Sequence, residues 1–117
     1  MSYSPPATID ALINEAEEQH LYFKLIEQTN KDFALANENI AIPLDIFPFE
    51  LQHMVQEKIL KLINHKFAEY LNLLYIIDVS EDQIKKLDGS DIFKLSEEVT
   101  FLILKREWQK VWFRNKY

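Results

Sequence analysis

Between Phe49 and Ile77 the chain is apolar at steps of three and four for nearly thirty residues. Leu51, Val55, Ile59, Leu62, Ile63, Phe67, Tyr70, Leu74 and Ile77 recur at the spacing that stacks side chains on one face of an α-helix. The first half keeps a polar back in Glu57, Lys61 and Asn64. From Phe67 to Ile77 only Glu69 and Asn72 are strongly polar. A helix that is apolar nearly all round has to be covered on several sides. The expectation is a central helix wrapped by neighbours, in an all-α, mostly antiparallel bundle of three long helices and one short one.

Composition agrees with that class. Apolar residues make up 48% of the 117, well above a disordered composition, and a chain of this length is expected to form one domain with a real core. One Gly is few for a sandwich or barrel with its many turns. The absence of Cys excludes disulfides and thiolate metal sites. No apolar run reaches the ~20 residues needed to span a bilayer. The first ten residues lack the basic and apolar regions of a signal peptide. A cytoplasmic location is expected.

The net charge of −6 is unevenly placed. Residues 1–50 hold nine acids and two bases, net −7. Residues 51–104 hold nine acids and six bases, net −3. Residues 105–117 hold five bases and one acid, net +4. An acidic body argues against broad nucleic-acid binding, which needs a basic face.

Residues 1–7 read as a flexible arm, because Pro5-Pro6 opposes helix. Thr8 is an N-cap candidate with Asp10 in the first turn. Ile9, Leu12, Ile13, Ala16, His20 and Phe23 share one helical face; Tyr22, Ile26, Thr29 and Phe33 make a second, rotated stripe. The pattern predicts a helix over about 8–36, bent or carrying two contact surfaces, with Asn37 or Asn39 ending it in a left-handed conformation. Residues 37–47 connect, and Ile40, Ile42, Leu44, Ile46 and Phe47 predict that they pack down. Short strands at 39–44 and Leu73–Val79 are the one route to an α+β fold. Pro48 suits the first position of the next helix. Ser80 to Gln83 matches a capping box and starts a short helix through about Leu87. The last helix runs from Ser90 or Ser96 to about Asn115. One of its stripes is Leu95, Val99, Leu102 and Ile103; the other is Phe101, Leu104, Trp108, Val111 and Trp112.

Chemistry has little foothold. The motifs Glu17-Glu18-Gln19-His20 and Glu50-Leu51-Gln52-His53 both read Glu-x-x-His, the pair that di-iron carboxylate bundles place on two helices. In an antiparallel hairpin His20 lies level with Asn64 or His65, which leaves His53 some ~17 Å away. Glu17, His20, His65 and Glu69 form a tighter candidate set for a metal-binding helical-bundle enzyme. Against it, His20 lies on the apolar stripe and His65 on the polar flank, so the ordinary reading is one semi-buried histidine and surface charges. There is no cysteine nucleophile and no Gly-rich phosphate loop, and Glu97 and Glu98 point about 100° apart. Neither an enzyme nor a cofactor is expected.

The C-terminal run from Lys105 to Tyr117 mixes bases with aromatics. It suits a protein interface, anchored by Trp108, Trp112 and Phe113 and steered by Lys110 and Arg114. It also suits an accessory role on nucleic acid or a membrane surface. The plain alternative is that the aromatics pack on the bundle and the bases face the acidic first helix. Thirteen per cent aromatic residues is more than a small bundle of three long helices can hide, so the leading expectation is a non-enzymatic, self-associating interaction module, a homodimer.

Overall fold

The structure, a computed structural model, describes residues 3–116. Met1, Ser2 and Tyr117, which belong to the expected arm and the C-terminal run, lie outside the described residues. Among the described residues six helices form: α1 (Ile9–Glu18), α2 (Tyr22–Leu35), α3 (Pro48–His65), α4 (Phe67–Ile77), α5 (Glu81–Lys85) and α6 (Ile92–Lys116). No strand forms among the described residues, so the all-α expectation holds and the 39–44 and Leu73–Val79 strands are not made.

Two of the three long helices break. The first breaks at His20, whose φ is 58°. Leu21 N donates to Ala16 O at 2.8 Å and His20 N to Glu17 O at 3.0 Å. That pair of bonds is a Schellman closure, which satisfies the orphan carbonyls of a helix end. The same closure recurs at Asn37 (φ 60°), the residue expected to end α2, and at Asp78 (φ 71°) after α4. Three helix ends thus use His, Asn and Asp in the left-handed region, while the one glycine, Gly89, is not there. His20 was expected on the apolar stripe; it sits exposed in this turn instead. The second break falls at Lys66, with φ −144° and ψ 64°. Asn64 and His65, both weak helix formers, precede it, and no Gly or Pro is involved.

The central element is α6 rather than the segment from Phe49 to Ile77. It packs against α1, α2, α3 and α4. Its buried residues run Ser96, Val99, Thr100, Ile103, Leu104, Glu107, Trp108 and Val111, pairs repeating every turn of the helix. The main core joins Leu51, Val55, Ile59 and Leu62 of α3 and Tyr70, Leu73, Leu74 and Ile77 of α4 to Val99, Ile103 and Leu104. A second cluster gathers Leu12, Ala16 and Leu25 around Trp108 and Val111.

Local signals explain the starts. Thr8 Oγ1 accepts from Ala11 N at 3.2 Å, Ser80 Oγ from Gln83 N at 3.3 Å, and Asp91 Oδ1 from Lys94 N at 3.2 Å. The 37–47 connection packs down as expected, with Ile42 and Ile46 buried. Asn30 holds it: its Nδ2 donates to Ile42 O at 2.9 Å, and its Oδ1 accepts from Ile42 N at 2.8 Å. Tyr22 Oη donates to Ile46 O at 2.7 Å.

Two stability results follow from this frame. Asn30→Ala leaves both backbone groups of buried Ile42 without that partner and is expected to cost about 2 kcal/mol in denaturant titration. Ala41 is exposed at φ 48°, where a Cβ is strained. Ala41→Gly is expected to stabilise by about 1 kcal/mol in the same assay, against the usual direction of an alanine-to-glycine change.

Candidate functional site

Of the residues singled out in the C-terminal run, Trp108 is buried, Lys110, Trp112 and Phe113 are half-buried, and Arg114 is exposed. Trp108 is 0% exposed. Its Nε1 donates to Glu15 Oε2 at 2.7 Å and to Tyr3 Oη at 2.8 Å, and Tyr3 also hydrogen bonds to Glu15. Burial and the Glu15 carboxylate push the Tyr3 phenol up from its ordinary value, with Trp108 opposing in part. Trp112 is half-buried and stacks on Tyr3 with ring centroids 3.9 Å apart and planes 9° off parallel. Phe113 meets Trp112 edge-on at 5.2 Å. The chain therefore lays its own N-terminal tyrosine over the aromatics that were expected to meet a partner. Trp108 in particular is a core residue, sealed within one subunit.

The two bases of that run are engaged with α2. Lys110 Nζ donates to Asp32 Oδ2 at 2.7 Å, and Arg114 Nη1 to Gln28 Oε1 at 2.8 Å. Gln28 Nε2 in turn donates to Asp32 Oδ1 at 3.1 Å. For these two bases the plain alternative, bases facing the acidic first helix expected over 8–36, is what the structure holds; Arg106 meets Asp78 instead. Beneath Lys110 lies Glu107, also 0% exposed. Neither Glu107 oxygen receives a hydrogen bond, and Lys110 Nζ stands 3.7 Å from Oε1. Burial, reinforced by the neighbouring Asp32, holds the Glu107 carboxyl well above the usual range, with Lys110 opposing only in part. Burial works against the Asp32 charge as well. The neighbouring Glu107 carboxyl and the hydrogen bonds from Lys110 and Gln28 outweigh it and hold Asp32 below its ordinary value. The sequence did carry a signal here: Glu107 sits where the apolar repeat of α6 demands an apolar residue.

Glu17, His20, His65 and Glu69 are all exposed, and among the described residues no group of three or more His, Asp or Glu is placed to hold a metal ion. His53 lies 3.4 Å from Glu57 on the open face of α3.

What the sequence reading missed is the outer side of α4. Phe67, Leu71 and Tyr75 recur at steps of four and are 55%, 49% and 80% exposed. Tyr70, Leu73, Leu74 and Ile77 fill the core from the other side. The segment expected to be wrapped on several sides is thus left partly bare. Glu69 is the one charged residue of α4, and it lies about 160° round the helix from Leu71 at 100° per residue. Beside the stripe, α4 and α5 enclose an open recess of about 470 Å³ lined by Leu71, Leu74, Tyr75, Val79 and Ile84 among others.

No protein-family model, no curated protein and no solved structure matches this chain. Among the described residues no helix is long and apolar enough to cross a membrane.

Proposed function

We propose that this protein is a non-enzymatic interaction module that docks another protein chain on the exposed side of α4. One observation carries the reading: Phe67, Leu71 and Tyr75 form a bare, uncharged stripe on a helix whose other side is core. Large apolar side chains aligned on one face, beside a recess whose apolar lining is flanked by Asp78, Glu81 and Lys85, are what helix-to-helix docking uses. Exposed Phe, Leu and Tyr singly are ordinary; three in register are not. Lys110 and Arg114 are taken up by Asp32 and Gln28, which weakens the case for an anionic ligand on the C-terminal helix. A cysteine-free chain suits a reducing compartment, and the cytoplasm belongs to this proposal as its setting.

A photo-reactive amino acid in place of Tyr75 tests the reading in cells expressing the chain. A defined protein adduct is expected from position 75, lost when Leu71→Glu is added, and absent from the same group placed at exposed Glu17. Equal labelling at 75 and 17, or none at 75, overturns it.

A further inference from the structure

We infer that the occupant of the α4 face is a second copy of this chain, bound with the two α4 helices antiparallel about a two-fold axis at Leu71. The inference rests on the docking reading above and names its partner. Three features of the face favour a copy of itself. The stripe is symmetric about Leu71, with an aromatic residue four positions before it and another four after it. An isologous contact needs a patch complementary to itself, and an antiparallel pairing sets Phe67 against the partner's Tyr75 and Leu71 against Leu71. The ends of the helix also match in charge. Exposed Lys66 stands at the start and Asp78 at the close; Arg106 Nη2 holds Asp78 Oδ2 at 3.0 Å, but the carboxylate stays 77% exposed, so each basic end still meets the partner's acidic end. The same orientation opposes the helix dipoles favourably. Finally, the chain is −6 overall and repels its own kind over most of its surface. α4, with Glu69 turned away, is where two copies approach at little electrostatic cost.

The recess between α4 and α5 completes the fit. Its lining by Leu71, Tyr75 and Ile84 places it at the C-terminal half of the stripe, where the partner's Phe67 arrives. Each subunit then offers one knob and one hole. An 11-residue helix is only about 16 Å long, so the interface is at the small end of specific contacts, and the dimer is expected to dissociate in the micromolar range, on the order of 10 μM.

The absence of native cysteine makes the test clean. Leu71→Cys, Phe67→Cys, Tyr75→Cys and a control Glu17→Cys are made singly in the purified full chain, alongside sedimentation of the unmodified protein. The expected result is a dimer at about 100 μM, rapid self-disulfide formation at position 71, and little at 67 or 75 alone. Phe67→Cys mixed with Tyr75→Cys then cross-links to each other. Leu71→Glu, at a half-exposed position that leaves helicity unchanged by circular dichroism, is expected to weaken association at least tenfold. Self-disulfides at 67 and 75 matching those at 71 overturn the antiparallel geometry. A monomer at 100 μM with disulfide at 71 no faster than at 17 overturns the second copy as occupant. If position 75 still captures a different protein in cells, the docking reading survives that result; if it captures none, both fall.

Discussion

Trp108→Ala is expected to destabilise the protein by about 4 kcal/mol, the largest loss of any single truncation considered. The indole is wholly enclosed and joins α1, α2 and α6 through Leu12, Ala16, Leu25 and Val111. Removing it leaves a cavity between three helices, and it also removes the donor that Glu15 and Tyr3 share. A domain of this size has about 5–15 kcal/mol in all, so a large part of the folded population is at stake. Trp108→Phe separates the two contributions. It keeps most of the apolar volume, drops the N–H, and should cost about 2 kcal/mol. Equilibrium urea denaturation reads both. An alanine variant within 1 kcal/mol of the parent would mean that Trp108 is not the keystone of the second cluster.

The second large effect concerns pH. Glu107 has its folded value raised, so the stability it contributes is fully present below its ordinary value of 4.5 and is lost as pH rises through the folded value. Asp32 has its folded value lowered. Its contribution is present above its ordinary value of 3.8 and is lost as pH falls through the folded one. The node of Asp32, Glu107, Lys110 and Gln28, with Arg114 behind Gln28, is therefore at its best in mildly acidic solution and weakens toward alkaline pH. Glu107→Gln keeps the size of the side chain and removes the ionisation. At pH 8 this variant is expected to exceed the parent by about 1–3 kcal/mol, and near pH 4.5 the two should agree. Urea midpoints from pH 4.5 to 8 check the sign. A parent that gains on Glu107→Gln as pH rises would show that Glu107 is ionised and satisfied in the fold. Asp32→Ala acts the other way: it strips Lys110 of its partner.

Periodicity made the helices legible. Nearly every buried position of α3 lay on the stripe read from the sequence, and Asn37 and Ser80 ended and began helices as their side chains suggest. The rotated stripes signalled a bend in the first helix but not its place, and the break at Lys66 was not legible. His20, Asn64 and His65 are weak helix formers, but weak propensity alone does not end a helix. Packing placed the centre of the bundle at α6. Its sequence looks polar because Glu107, Ser96 and Thr100 occupy buried positions; Ser96 and Thr100 donate to backbone carbonyls there, and Glu107 lies beside Asp32 and Lys110. The aromatic surplus was visible as a surplus, but its address was not. Periodicity cannot tell which of two stripes a neighbour will cover. Tyr3, from a stretch with no helical signal, covers Trp112, while nothing in the described chain covers Tyr75.

Where the chain meets a partner is read most directly by amide and indole NMR signals of the labelled protein over a dilution series from about 500 to 10 μM. Concentration-dependent shifts are expected to cluster at Phe67 to Asp78, with the indole signals of Trp108 and Trp112 unmoved. Shifts centred on the two tryptophans, with α4 silent, would return the interface to the C-terminal helix and contradict the assignment of the docking face to α4.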